Sequence, residues 1–235
     1  MRWHFLTFSG AHGVGKSTLL ADCADAYTAL GLHVSTVPSC SSHQFAEWRV
    51  RNPGLNTYAD IDRLGLRVAW QAALPITLNA LLSRAVSALP ACDSVLLVDR
   101  WHCDIDAYSA MEIQDPAQLS MLSAMAQSSC TFARNLVFAA ADRAGAIVDE
   151  VHVVVPLACS NFLINQSKPN RGTCDRSIWE RHLLGDIANY CQPEQVFHVD
   201  AQDRQERVGQ ILARSGRSAL PGSGVPAAGQ VASAH

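Results

Sequence analysis

Trp3-His4-Phe5-Leu6-Thr7-Phe8-Ser9, followed at once by Gly10-Ala11-His12-Gly13-Val14-Gly15-Lys16-Ser17-Thr18, is the stretch from which the rest of the chain is read. The first seven residues have the pattern of a buried strand. Gly10 to Ser17 fits G-x-x-x-x-G-K-[S/T], and Lys16 to Leu30 continues it with a helical pattern. From average glycine usage, a chain of this length meets that pattern by accident about once in a hundred times. Strand, glycine-rich loop and helix in that order are also the context the motif requires. Its glycines let the backbone wrap a phosphate with N–H groups, and the helix N-terminus adds a positive dipole end. In that arrangement Lys16 reaches the β- and γ-phosphates of ATP and Ser17 ligates Mg²⁺. Gly10, Ala11, His12, Gly13, Val14, Gly15, Lys16, Ser17 and Thr18 are therefore the candidate ATP-binding residues. The bland alternative is an ordinary glycine-rich strand–helix turn.

Working outward, strand-like and helix-like stretches alternate. Residues 32–37 read as a second strand, and 43–58 as an irregular polar segment. Tyr58 to Leu89 reads as one long helical region that Pro75 should kink or divide. Ser94-Val95-Leu96-Leu97-Val98-Asp99 is nearly continuously apolar, as a strand covered on both faces must be. Then come a helix over 116–145, a strand over 150–156, a helix over 177–190, a strand over 196–199 and a helix over 203–214. Five strands separated by helices imply an α/β fold: a five-stranded parallel sheet with helices on both faces. Residues 1–214 form one domain in this reading. Ser215 to His235, rich in Gly, Pro, Ser and Ala, reads as a disordered tail.

Composition narrows the function classes. The chain has 235 residues, 49% of them hydrophobic and only 17% charged, which excludes a disordered or solvating chain. A net charge of −3 excludes binding duplex nucleic acid through overall basicity, though not through one basic groove. Lysine occurs twice, Lys16 and Lys168, against sixteen arginines. No apolar run is long enough for a membrane span, and no signal peptide precedes the first strand, so the expected location is the cytoplasm, a host's if the gene is viral. Eight cysteines stand singly, without metal-site spacing, and read as reduced, mostly buried thiols.

Three further stretches resemble the thymidylate kinase family. Asp99-Arg100-Trp101 followed by Ala107-Tyr108 resembles its Asp-Arg-Tyr…Ala-Tyr segment at the same offsets. Arg171-Gly172-Thr173-Cys174-Asp175-Arg176 is similar to its Arg-Gly-x-x-Asp-Arg lid, and Asp200-Ala201 with Glu206-Arg207-Val208 to its closing section. The resemblance implies a P-loop kinase fold with a short Arg-bearing lid, and transfer of the ATP γ-phosphate. It implies Lys16, Asp99, Arg100, Arg171 and Arg176 as catalytic residues, and Mg²⁺ held by Ser17 and Asp99. It also leaves a homodimer open, since that family commonly pairs. An Asp-Arg pair at a strand end is otherwise often structural, and loop arginines otherwise form solvated faces.

The resemblance fails on the acceptor side. The family's acidic-Pro-Gly segment is here Val37-Pro38-Ser39-Cys40, and the stretch most like its Ala-Ala-Asp-Arg is Ala72-Ala73-Leu74-Pro75. A rebuilt acceptor site fits a thymidine-like pyrimidine deoxynucleotide, free or within DNA, that is presented differently from dTMP. Some bacteriophages encode relatives that phosphorylate the 5-hydroxymethyl group of hydroxymethyluracil already in DNA, and this is the leading acceptor. The alternatives are a kinase of free dTMP or another deoxynucleotide, and an NTP-hydrolysing switch. Trp48, Arg49 and Arg51 are candidate acceptor contacts because aromatic and basic side chains interleave there, and Tyr108 joins them through the motif. A tryptophan-anchored surface loop is the alternative. An alcohol acceptor calls for a general base, for which Asp104 is preferred over Asp106; capping of the next helix is the competing role.

Overall fold

The computed structural model describes residues 1–11, 13–156 and 176–216. Its strands β1 (Arg2–Gly10), β2 (His33–Val37), β3 (Ser94–Asp99), β4 (Ile147–Val155) and β5 (Val196–His198) form one parallel sheet in the order β2-β3-β1-β4-β5. Every residue of β3 is buried, and so is every residue of β1 after Arg2. That is why Val95–Val98 runs apolar with no in–out alternation, while β1 mixes Phe5, Leu6 and Phe8 with the buried polar residues His4, Thr7 and Ser9. In the register between the two central strands, Phe8 stands opposite Asp99, so the carboxyl end of β3 lies beside the start of the glycine-rich loop.

The strand order dictates where the helices go. From β1 the chain steps across the sheet to β2 through α1 (Lys16–Ala29), and every later crossover steps the opposite way. Right-handed crossovers of opposite direction put their helices on opposite faces. Accordingly α1 packs with α8 (Arg204–Arg214) on one side, while α4 (Arg67–Ser87), α5 (His102–Glu112), α6 (Pro116–Ala144) and α7 (Arg176–Asp186) pack together on the other. The five-stranded parallel sheet flanked by helices is the architecture that the sequence implied.

The helices differ from expectation in three places, one being α5 itself, over residues 102–112, where the sequence reading assigns no helix. Of the expected irregular segment, residues 43–51 belong instead to α2 (Cys40–Arg51), and 52–58 are irregular as read. Gln44 is buried in it, donating to Trp70 O at 2.8 Å and accepting from Thr77 Oγ1 at 2.9 Å, which ties this polar helix to α4. The long helical region is divided at Gly65, not at Pro75. Gly65 adopts φ +67° after α3 (Ala59–Arg63), with Gly65 N–H bonded to Asp62 O at 2.9 Å and Leu66 N–H to Ile61 O at 2.8 Å. That closing pattern favours glycine, which alone takes a left-handed φ without a Cβ penalty. Pro75 sits inside α4, held there because Trp70, Leu74, Leu78, Leu82 and Val86 bury one long stripe on either side of it. The strand expected to begin at residue 150 begins at Ile147.

Trp3, Trp70 and Trp179 are buried, as packing residues should be. Phe45, Trp48 and Tyr58 all face the Trp70 ring, with centroids 5.3–6.3 Å away. Ser215, which opens the expected tail, is buried and hydrogen-bonded to Tyr27 Oη at 2.6 Å. Among the described residues no helix is long and apolar enough to cross a membrane.

Candidate functional site

The glycine-rich loop leaves the carboxyl end of β1 and enters α1. Gly10 is confined: a Cβ there would lie 2.6 Å from Val155 O on β4 and 3.1 Å from Val14 Cγ2. No larger residue fits the position without moving backbone. Gly13 and Gly15 take φ +85° and +91°, the left-handed conformation that curls the loop before α1 starts at Lys16. Lys16 is buried, and its Nζ donates to the carbonyls of Gly10 and, at 2.8 Å, of Ala11. Ser17 and Thr18 are exposed in the first turn of α1. His12 lies outside the described residues.

Ser17 Oγ donates to Asp99 Oδ2 at 2.7 Å, joining the loop to the end of β3. The second oxygen, Asp99 Oδ1, is buried without a hydrogen-bond partner. A hydroxyl beside a carboxylate with one unpartnered oxygen is a hard, all-oxygen donor set of the kind Mg²⁺ prefers. No group of three His, Cys, Asp or Glu suited to a metal occurs among the described residues, so such a cation would lean on substrate phosphates and water.

Arg100 follows with φ +78°, the one non-glycine residue with a positive φ among those described. This conformation is costly for a side-chain-bearing residue and is concentrated at functional sites. Its N–H bonds Phe8 O at 3.0 Å, and its guanidinium lies 5.0 Å from the centroid of the half-buried Tyr108 ring. Burial opposes the charge, but Tyr108, Asp104 and Asp99 outweigh it and hold the arginine firmly protonated. Tyr108 in turn meets Trp179 of α7 at 5.6 Å between centroids. Cys40, at the start of α2, is buried close to the same charges; burial pushes its thiol up to about 12, with Arg100 opposing and Asp104 and Asp99 reinforcing. Sequence reasoning did not select Cys40 for the site; its position straight after Pro38-Ser39, where the family's carboxylate is missing, is the signal that could have found it.

The two aspartates considered as general base are both engaged. Asp104 is fully buried and accepts from Ser9 Oγ, from Gly10 N at 3.3 Å and from Trp101 N at 2.9 Å. Asp106 accepts from Ser123 Oγ at 2.5 Å and from Tyr190 Oη at 2.6 Å. Both carboxylates are buried and held by these donors.

Of the other selected residues, Trp48 packs edge-on against Trp70 at 5.3 Å, while Arg49 and Arg51 are exposed in the last turn of α2. The structure therefore does not bring these three to Asp99 and Arg100 as a cluster. Lys168 and Arg171 lie outside the described residues; Arg176 is the first residue of α7.

No family model matches the sequence, and no curated protein matches it. Solved structures do. A NadR protein in crystal complex with NAD and AMP-PNP matches at TM-score 0.57 and 13% identity, covering 94% of this chain and 51% of that chain. A NadR protein in complex with NR matches at TM-score 0.61 and 13% identity, covering 94% and 52%. The chain thus spans about half the length of the NadR chains it matches. A thymidylate kinase from Ehrlichia chaffeensis matches at TM-score 0.47 and 12% identity, covering 92% of this chain and 99% of that one. What is shared is the fold. A five-stranded parallel sheet with a phosphate-binding-type loop at the end of its central strand is consistent with the P-loop kinase fold.

Proposed function

We propose that the protein is an ATP-dependent phosphotransferase of P-loop kinase type, acting on a hydroxyl of a thymidine-like pyrimidine. The leading acceptor is the 5-hydroxymethyl group of hydroxymethyl-deoxyuridine in phage DNA. The observation that carries the phosphotransfer reading is the junction of the loop with β3: Lys16 folded on the loop carbonyls, and Ser17 bonded to an Asp99 that keeps one buried oxygen unpartnered.

In this reading the loop N–H groups and Lys16 hold the triphosphate. Ser17 and Asp99 would hold Mg²⁺, which neutralises charge on the phosphates when bound. Arg100, anchored by its backbone and by Tyr108, meets the acceptor or the moving phosphoryl group; Arg171 and Arg176 close over it from the lid. The acceptor oxygen forms a bond to the γ-phosphorus, the bridging oxygen–phosphorus bond to the γ-phosphorus breaks, ADP leaves, and the hydroxyl proton is released to solvent.

The acceptor is argued from the replaced readers. Leu74 and Pro75 are buried in the α4 stripe, and Trp70 is enclosed by Phe45, Trp48 and Tyr58. An apolar, filled interface at this position supports an acceptor whose base is held elsewhere, as in a polymer, over free dTMP.

The test is incubation with γ-labelled ATP and Mg²⁺ beside a Lys16→Ala control. Parallel reactions contain dTMP, other deoxynucleotides, NR, plain DNA, or DNA containing hydroxymethyluracil. Label confined to the modified polymer is the expected result. Label in dTMP or NR would move the acceptor to a free nucleotide or nucleoside, and free phosphate in every tube would replace the kinase by a hydrolytic switch.

A further inference from the structure

Asp104 stands where three elements meet. One oxygen accepts from the Gly10 amide that opens the phosphate-binding loop, and the other from the Ser9 hydroxyl at the end of β1 and the Trp101 amide at the head of α5. The Trp101 bond alone would be half of a capping box, the third helical residue reaching back to the N-cap amide. A cap needs neither burial nor contact with another element, and Asp104 has both: it is 0% exposed, and two of its donors belong to β1. Burying a carboxylate this completely is unfavourable unless donors and cations repay it. Here Lys16 and Arg100 both pull on its charge, against the burial that pushes its pKa up.

The surroundings leave the loop start little freedom. On one side Gly10 abuts Val155 O of β4; on another it is held by Asp104. Beneath it runs a buried polar string: Ser9 Oγ lies 3.4 Å from Cys103 Sγ, which lies 3.6 Å from His152 Nε2, and His152 Nδ1 is 2.5 Å from Thr7 Oγ1. The Gly10 carbonyl is also one of the two acceptors on which Lys16 Nζ rests. Any shift of Gly10 therefore moves the lysine's seat.

We propose that Asp104 is a positioning residue for nucleotide binding, a strut that fixes the first turn of the phosphate-binding loop against α5 and spaces Lys16 from Arg100. The inference rests on the reading of Gly10 to Ser17 as a triphosphate site. It gives Asp104 work on the donor side of the reaction, in place of proton transfer at the acceptor.

The experiment measures Kd for a fluorescent ATP analogue with Mg²⁺, and KM and kcat for ATP, in the full chain. The variants are Asp104→Asn, Ser9→Ala, their double and Lys16→Ala, each at a temperature where its circular dichroism equals that of the wild type. Asp104→Asn keeps the shape but presents an amide to three donors, and is expected to weaken nucleotide binding about tenfold or more. Ser9→Ala removes one arm and is expected to cost about threefold to tenfold; the double variant is no weaker than Asp104→Asn alone, because both break the same strut. KM for ATP rises in these variants while KM for the acceptor stays within about twofold, a split that loss of general stability does not produce. Nucleotide Kd within about twofold of wild type in both single variants, with Lys16→Ala strongly weakened, overturns the strut. Equal binding by wild type and Lys16→Ala overturns the triphosphate site itself. Should Asp104→Asn fail to fold, Ser9→Ala carries the test.

Discussion

Acidification should destabilise this fold through two buried neutral histidines, and the size of the effect follows from their surroundings. His152 lies inside the sheet, fully buried, with Thr7 Oγ1 2.5 Å from Nδ1 and Cys103 Sγ 3.6 Å from Nε2. His102 is equally buried at the start of α5, with Nε2 3.1 Å from Asn79 Oδ1. Burial pushes each imidazole down to about 3. For His152 the neighbouring His198 adds to the same shift. Because the folded value lies below the unfolded one near 6.5, the stabilisation is complete above that value and is lost as pH falls from about 6.5 toward 3. Each histidine contributes about 1.36 kcal/mol per pH unit, so by pH 5 each costs roughly 2 kcal/mol, a large share of a typical 5–15 kcal/mol total. Three carboxylates, of which only Asp104 is fully buried, act with opposite sign. Asp104, Glu112 and Glu150 are raised by burial, so their contribution is present at low pH and lost as pH rises through their folded values. The histidine effect is therefore isolated by comparison, through urea unfolding of wild type and His152→Gln at pH 7, 6, 5.5 and 5. The variant is less stable at pH 7 because it forfeits the fitted ring, but the stability gap should close by roughly 2 kcal/mol by pH 5. Parallel stability curves with a constant gap would refute the reasoning.

Leu82→Ala, at a fully buried position of α4, is expected to cost about 2–5 kcal/mol in urea unfolding, since a tight helix stripe collapses poorly around a cavity. Tyr27→Phe removes the 2.6 Å bond to Ser215 and should lower stability by about 1 kcal/mol, seen as a fall in Tm of roughly 2–4 °C. Arg49→Ala combined with Arg51→Ala touches exposed side chains of α2 and should leave stability within about 0.5 kcal/mol of wild type. If the acceptor is a DNA strand that these arginines contact, the same pair reduces the slope of log affinity against log salt by about two, measured by fluorescence anisotropy on labelled DNA. An unchanged slope removes them from the acceptor path.

The central sheet was readable because a strand covered on both faces is dominated by apolar residues: Val95–Val98 is apolar throughout and Phe5–Phe8 except for Thr7, with no need of distant information. Helix α2 was not readable in the same way. Its buried positions are Cys40, Ser41 and Gln44, two of them polar, so the apolar signal is diluted. The helical spacing is present in Cys40, Gln44 and Trp48, but only the bonds from Gln44 to Trp70 and Thr77 make a glutamine an inward residue. Pro75 misled in the opposite direction. Proline forfeits a single helix bond, and a stripe of large buried side chains on both sides outweighs that loss, while Gly65, with no side chain to pack, is where the chain turned.

The candidate site shows a sharper limit. Asp99, Asp104 and Asp106 lie within eight residues, and the sequence offers each the same menu of base, cap and metal ligand. What separates them comes from far along the chain. Asp99 meets Ser17 because parallel pairing sets the end of β3 beside the loop that follows β1. Asp104 meets Ser9 and Gly10 through the same pairing one helical turn later, and Asp106 turns away toward Ser123 and Tyr190. Three identical side chains thus acquire three environments: one with an unpartnered oxygen beside a hydroxyl, one holding two amides and the Ser9 hydroxyl, and one pinned between helix and turn. A carboxylate offers about four lone-pair sites, and of the three aspartates Asp99 is the one with an oxygen that carries no donor at all. In the proposed reading, that unpartnered oxygen suits Asp99 to a cation, and the Gly10 and Trp101 amides held by Asp104 suit it to supporting the loop.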